Sequence, residues 1–554
     1  MKPPWQRRVA VQASGVPGRL RTWFRSRFAL DLRSLAAFRI AVGTILVVDA
    51  LLRTRDFGLM FAPDGFFPPA TLRQTWNSAP SIWSAAFLVD AAWWGGLVLA
   101  VQGLAGGCLA CGWKTRAATI AAWAAQLSVV RRTLPATNAG DAWLGALLFW
   151  SMFLPLGAAW SADRWKRRAG STAAGGPAAV EERSISSVAS AALMLQVLVV
   201  YLTAGLAKWN DSWLSGEAVR RALSVHDHGT AFGMWIAGTA WLARPLTWSV
   251  LGMEIVLPLL YLLVPRPRIR LAIAGVFVLF HLAIQVTMSV GLFAAIGIAA
   301  WLALIPGAAW QSLVRIADRP ASTGAAGGGF DPGTRPAPGR LAWPASAACA
   351  FLFALASVAV VHGLAPARWG RLPQAIAAPL NLCGLTQEWG MFGVVYPTEQ
   401  WVYGPALLAD GRRVDLLRHG AVLDADEPRG GCGSLPHHRW HKLVWMLPAA
   451  RYRPLAGHVA AALVRDWNSR HGPDARVVEI EIRFVIRDAA PAAASRFEQL
   501  LASWPERGPD GAGNLGRFLD DSVAEEPPPG PRSRATDASG EAGARFDGTT
   551  RHDP

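Results

Sequence analysis

The chain is short of cysteine and of acid, and it lacks the commonest catalytic signatures. Five cysteines in 554 residues are too few for a disulfide scaffold. One pair, Cys108-x-x-Cys111, has redox or half-metal-site spacing, but it lies among small residues with no second pair beside it, and no metal is expected. The patterns G-x-x-x-x-G-K-S/T, H-E-x-x-H and G-x-S-x-G do not occur, which leaves nucleotide hydrolysis, zinc proteolysis and α/β-hydrolase chemistry without support. Acidic residues number 38 against 54 lysines and arginines, a net charge of +16. Yet no aromatic-basic patch of the kind that binds nucleic acid is present, so nucleic acid is not an expected partner. No apolar stretch precedes the arginines of residues 1–33, and a cleavable leader is not expected there.

What is abundant is apolar. Hydrophobic residues make up 52% of the chain, the mean hydropathy is positive at +0.26, and there are 27 tryptophans. That combination points to a polytopic α-helical protein whose indoles form belts at the bilayer surfaces, making the lipid bilayer its first partner. Runs long enough to cross are expected at about nine places: Leu35–Leu52, 82–106, 117–130, Ala142–Ala159, Val188–Ala207, Leu246–Val264, Leu271–Ser289, 292–306 and Trp343–His362. The resulting organisation is a basic lead-in (1–33), a transmembrane domain (34–306), a cytosolic linker (307–343) and a last span (344–362). A C-terminal extracytoplasmic α+β domain (366–490) and a disordered tail (505–554) follow. In that domain, arms around Asp410-Gly411 read as a hairpin, and Val477–Ile486 reads as a strand with one wet face. Cys383 and Cys432 both fall in this region and form a disulfide candidate.

The basic residues set an orientation. Blocks at 1–33, 114–116, 164–168, 266–270 and 315–340 all land on the cytosolic face if nine crossings start from a cytosolic N-terminus in the inner or plasma membrane. Arg53, Arg55, Arg131 and Arg132 sit against that count. Charges at membrane depth each cost about 2.5–3.5 kcal/mol near the centre and are functional candidates by default. They are Asp49, Lys208, Glu254 and His281, with Gln285 at i+4 from the histidine; Arg39 is expected to snorkel to the inner face. His226-Asp227-His228 could ligate a metal or be a solvated loop.

The most informative stretch is Gly205-x-x-Lys208-x-x-x-x-Trp213-x-x-Gly216, at the end of the fifth apolar run. Two readings stand side by side. Lys208 is an interfacial anchor, its ammonium reaching out to the headgroups with Trp209 and Trp213 beside it. Alternatively it is held where water thins out, which favours the free amine and lets it act as a base.

The same stretch resembles the one that carries the catalytic lysine in vitamin K-dependent gamma-carboxylases, and the wider horizontally transferred transmembrane (HTTM) domain family to which they belong. Further resemblances lie at Ser34-Leu-Ala-Ala-Phe38-Arg39, Phe61-Ala-Pro-Asp64-Gly65-Phe-Phe-Pro68, Asn138-Ala-Gly140-Asp141 through Leu154-Pro155-Leu156-Gly157, Phe280-His281 with Leu292-Phe293, and Gln387-Glu-Trp389-Gly-Met391-Phe392. The resemblance implies a gamma-glutamyl carboxylase-like lyase or quinol epoxidase. Lys208 would deprotonate a reduced, vitamin K-like quinone, and the strong base made with dioxygen would take a γ-proton from a glutamate of an exported protein substrate before carbon dioxide adds. His281 would hydrogen-bond a quinone oxygen, and Gln285, Glu254, Asn138 and Asp141 would line the substrate site. The carboxylases carry a histidine where this chain reads Asn138-Ala-Gly140-Asp141, so quinone oxygenation follows more directly than carboxylation. Two other classes stay open: a non-enzymatic maturation or assembly factor for exported proteins, and a transporter, for which no inverted repeat is found.

Overall fold

The computed structural model describes residues 16–76, 83–166, 183–224, 228–317, 343–363, 369–386, 389–395, 398–424, 433–488 and 496–506. Residues 1–15, most of the linkers at 169–187 and 307–343, His226, Asp227, Gln387, Glu388, Cys432 and nearly all of the expected tail lie outside them.

Among the described residues a helix stands at each of the nine expected spans. They are α1 (Leu32–Arg53), α2 (Ala92–Cys111), α3 (Thr115–Arg132), α4 (Ala139–Ser151), α5 (Val188–Ala207), α6 (Ala240–Leu263), α7 (Pro267–Thr287), α8 (Phe293–Leu302) and α9 (Trp343–Gly363). Six of them, α1, α2, α5, α6, α7 and α9, are long and apolar enough to cross a membrane. The other three are shorter or less apolar for local reasons. α3 carries Gln126, Arg131 and Arg132 in its last two turns. α4 starts ahead of the expected Ala142, at a cap in which Asp141 N donates to Asn138 Oδ1 at 3.1 Å and Asn138 N to Asp141 Oδ2 at 2.9 Å, and it is short because it ends at Ser151, before Pro155 and the turn Leu156–Ala158. α8 has only ten residues, about 15 Å of rise.

α1 and α2 approach closely because glycines face each other. A β-carbon on Gly43 would lie 2.5 Å from Ala110 N, and one on Gly106 would lie 2.8 Å from Leu46 Cβ. Arg39 does not snorkel. It is fully buried, donating through Nη1 to Leu109 O (2.7 Å) and Ala110 O (2.9 Å) and through Nη2 to Trp160 O (2.5 Å). The last carbonyls of a helix have no partner within it, and the guanidinium supplies one for α2.

After α9 come α10 (Gln374–Cys383) and an antiparallel sheet of β1 (Thr398–Tyr403), β2 (Pro405–Leu408), β3 (Arg413–Asp415), β4 (Ala421–Val422), β5 (Val477–Asp488) and β6 (Arg496–Trp504). The hairpin is where the Asp410-Gly411 signal puts it, with Leu407 opposite Arg413 and Gly411 at φ +85. β5 is the central strand: β1 and β2 follow one another along one edge and β6 lies along the other. The wet face expected for β5 is not there. Glu479, Glu481 and Arg483 are all buried, with Arg483 Nε donating to Glu481 Oε2 at 2.6 Å and Nη1 to Glu498 Oε1 at 3.1 Å. The charges of Glu481 and Arg483 are paired with each other and with Glu498 of β6 instead of facing water. Between β4 and β5 lie α11 (His438–Met446) and α12 (Leu455–Arg470). Their apolar faces (Trp440, Leu443, Val459) share one core with Phe61, Phe66 and Phe67 of the loop after α1. Phe66 and Trp440 meet edge to face with ring centroids 5.2 Å apart.

The strongest link between the two regions is charged. Arg439, from the start of α11, is buried between the end of α1 and the beginning of α4. Its Nη2 donates to Asp49 Oδ1 (2.6 Å) and Asp141 Oδ1 (3.1 Å), and its Nη1 to Asp141 Oδ2 (3.1 Å). Arg53 completes the set, donating from Nε to Asp49 Oδ2 (2.8 Å), from Nη2 to Asp141 Oδ1 (3.0 Å) and from Nη1 to Thr133 Oγ1 (3.1 Å). Gln102 Nε2 adds a 2.9 Å bond to Asp49 Oδ2. Two carboxylates and two guanidinium groups balance, so a buried cluster that would be prohibitive with one member missing is neutral as a whole. The C-terminal sheet region is therefore fixed to the end of the bundle where α1 finishes and α4 begins.

Arg439→Met should cost about 3–5 kcal/mol, the scale for leaving buried charge unpaired. The thermal midpoint in detergent should fall and limited proteolysis should separate the C-terminal region; an unchanged midpoint would show that the apolar contacts alone hold it. His438, the residue before Arg439, packs on Gly291, and burial followed by repulsion from Arg439 pushes its imidazole from the usual 6.5 down to about 3. Folded protein keeps it neutral while the unfolded chain takes up a proton below pH about 6.5, so this contribution to stability is lost as pH falls from 6.5 towards 3. Melting followed between about pH 7.5 and pH 5 should show that loss, and His438→Gln should reduce it.

Candidate functional site

α5 begins at a reciprocal Ser187–Ser190 cap and ends with Lys208 as its C-cap. The anchor reading does not survive for this lysine, which is 4% exposed. Its Nζ donates to Glu254 Oε2 at 2.8 Å and to Ala204 O at 3.5 Å, and it lies 5.2 Å from the centre of the Trp213 ring. Of the two tryptophans only Trp209 faces outward, at 66% exposed against 3% for Trp213.

Each fixed position of the Gly205–Gly216 stretch has a physical reason. Gly205 lets α6 close in, since a β-carbon there would lie 2.8 Å from Ile255 Cγ1 and 3.0 Å from Glu254 Cβ; that approach brings the carboxylate to the lysine. Trp213 forms the wall over the ammonium, and its Nε1 donates to Phe392 O at 2.7 Å. Gly216 has φ +82 and backs onto Trp248. The lid comes from beyond the last span: Asn210 Nδ2 donates to Gly393 O at 2.6 Å, so residues 392–393 close over the end of α5.

His281 belongs to a second cluster, two turns further into the bundle. It is fully buried on α7 against Gly297 of α8, and its Nε2 lies 2.6 Å from Tyr201 Oη. Trp301 Nε1 donates to the same phenolic oxygen at 2.9 Å. Tyr201 accepts that bond, and its own proton finds an acceptor when it donates to Nε2, the arrangement that puts the ring proton of His281 on Nδ1. That Nδ1, and Nε1 of the fully buried Trp143 nearby, have no partner among the described residues. Phe277 and Phe293 complete an aromatic wall. Lys208 and His281 are thus not bonded to each other; Tyr201 and Lys208, seven residues apart on α5, tie both clusters to one helix.

The other expected residues divide. Glu254 is the partner of Lys208. Gln285 is exposed while His281 is buried: the inward stripe of α7 runs through Ile273, Phe277 and His281 towards Ile284 and Met288, and position 285 falls outside it. Asn138 and Asp141 serve as the cap of α4, and Asp141 is committed to the two arginines, so neither stands at the lysine. Cys383 is free, and its suggested partner Cys432 lies outside the described residues. Tyr201, Trp301 and Trp143 were not singled out in the sequence. For Tyr201 a signal existed, since seven residues before Lys208 is the same helix face; the tryptophans were hidden among 27.

Apolar helices with a lysine–glutamate pair and a bonded histidine in their interior define an integral membrane protein with an ionisable site inside its bundle. The chain belongs to the HTTM family: the HTTM domain matches residues 28–310, which takes in α1 to α8. No curated protein and no solved structure matches it.

Removing one partner of the buried pair should be worse than removing both. Lys208→Met and Glu254→Gln are each expected to lower stability by about 3–5 kcal/mol, and the double variant by less than their sum. Additive thermal shifts would show that the two side chains are not coupled. Nitrogen NMR of histidine-labelled protein should find His281 protonated on Nδ1, and Tyr201→Phe should remove that preference. An Nε2-protonated ring in the parent would contradict the hydrogen-bond assignment.

Proposed function

We propose that the protein is a quinol-dependent membrane oxygenase of the vitamin K-dependent carboxylase type, with Lys208 as its base and an exported protein as the substrate of any carboxylation. The observation that carries this reading is the buried Lys208–Glu254 pair, walled by Trp213 and covered by residues 392–393. Once the proton held between Nζ and Oε2 has left the pair, there is room for another. The lone pair of Lys208 Nζ takes it from a quinol hydroxyl, the O–H electrons stay on oxygen, and the ammonium formed is the one Glu254 stabilises at 2.8 Å. A bound reduced quinone would supply the reaction with dioxygen. His281 suits its polar end because the Nδ1 proton is an uncommitted donor among apolar rings, and a carbonyl or phenolate oxygen is what such a donor needs.

The orientation belongs to the same reading: nine crossings, N-terminus in the cytosol, C-terminal domain outside. It is supported by the fate of three of the four basic residues that ran against it, while Arg55 is exposed and still runs against it. Arg53 is in the buried network, Arg131 donates to Trp83 O and Asn381 O, and Arg132 donates to Phe67 O and Phe61 O. Buried guanidinium groups bonded to carbonyls are structural, so they do not count as topology signals.

In membranes carrying the parent or Lys208→Ala protein, oxidation of a reduced naphthoquinone should fall by about 10²–10⁴-fold on loss of the base. Glu254→Gln should reduce the rate less and shift its pH profile. A Lys208→Ala rate equal to the parent removes the enzyme reading. Capture of an exported protein by a chain that turns over no quinol would favour the assembly-factor alternative. A periplasm-dependent reporter fused after residue 506 should be active, and one fused to the N-terminus silent.

A further inference from the structure

A cavity of about 170 Å³ lies between α3, the first turns of α4 and the turn after α10, apart from the lysine and histidine clusters. Leu127, Val130, Leu134 and Ala142 give it an apolar wall, and Arg131 and Thr386 supply polar edges. Arg131 is 6% exposed. It donates to Trp83 O and Asn381 O and stacks 5.6 Å from the Trp83 ring centre, but no carboxylate pairs with it among the described residues. Asp141 also reaches the cavity, yet its oxygens are already bonded to Arg53 and Arg439 in a network whose charges cancel. Among the described residues the cavity therefore carries one uncompensated positive charge in apolar surroundings. Carbonyls and an indole face spread that charge without neutralising it, and a buried cation without a counter-ion is costly.

We propose that this cavity binds a single-chain acidic amphiphile, its carboxylate or phosphate on Arg131 and the first carbons of its chain against Leu127, Val130 and Leu134. Size fits that part of the molecule, since a cavity of about 150 Å³ takes a benzene-sized group. A whole lipid would not fit, and the rest of the chain leaves through the open side. The site is independent of the Lys208 reading and stands or falls apart from it.

Purified full-length protein would be titrated with laurate, with a lysophosphatidate, with inorganic phosphate and with dodecanol, binding being read by native mass spectrometry and isothermal calorimetry. Two variants separate charge from space. Arg131→Gln removes the cation, and Gly145→Leu fills the cavity from a position where an added Cβ meets no heavy atom within 4 Å. Melting curves establish that each is folded, and if Arg131→Gln does not fold the comparison of laurate with uncharged dodecanol on the parent protein carries the test of charge. Laurate, lysophosphatidate or both should bind, with each variant that removes charge or space weakening the binding at least about tenfold, as expected for loss of about 1.4 kcal/mol or more. Preference for one of the two acids identifies the headgroup. Dodecanol binding as tightly as laurate, inorganic phosphate binding as tightly as either amphiphile, or full binding by folded Gly145→Leu would each overturn the proposal.

Discussion

The four-residue charge cluster of Asp49, Arg53, Asp141 and Arg439 is the constraint on which the rest of the molecule depends. Each member sits where a lone charge would be untenable, and each is tolerable only because the other three are present. The cluster joins the end of α1, the start of α4 and the first turn of α11, residues up to 390 positions apart. It also explains why α1 ends on an arginine and α4 opens with an aspartate: these are the ends at which the bundle receives the C-terminal region. The apolar contacts around Trp440 add area, but an apolar surface can slide, whereas paired guanidinium–carboxylate bonds define one seat.

Seating that region bears on the lysine. The segment between α10 and β1 follows the last span and runs over the end of α5, where the carbonyls of Phe392 and Gly393 accept from Trp213 and Asn210. The family-matched helices supply the ionisable groups, and residues beyond residue 310 supply part of the enclosure. Trp389 extends this to the second cluster, its ring 6.0 Å from that of Trp143. The pair is largely kept from solvent, and a Lys–Glu bond is electrostatically stronger where water is excluded.

Particular residues show what could be read in advance. The helices were legible because a run of apolar residues in a membrane protein has one economical conformation, the α-helix, which satisfies its own backbone. The strand β5 and the Asp410-Gly411 hairpin were legible from period and turn chemistry. Lys208 and Glu254 were legible as ionisable groups at depth, though their pairing was not, since it requires Gly205 to admit α6. Arg39 was read as snorkelling because its distance from the helix end allowed it; the carbonyls of α2 that hold it belong to another helix. Gln285 looked to share a face with His281, and a stripe one position narrower put it outside. Asp141 was assigned to substrate on the resemblance, and its true partners were hidden because they come from 88 and 298 residues away.

The sequence by itself determined that this is a helical membrane protein with a C-terminal α+β region, because hydropathy, period and turn residues act through neighbours a few positions apart. It also marked the stretch around Lys208. Tertiary structure alone decided which charges neutralise one another, that the lysine is covered and paired with Glu254, that Tyr201 sets the histidine's proton, and that Arg131 is left facing a cavity. Those outcomes depend on which distant helices come within about 3 Å of a given atom, and no local pattern encodes that distance.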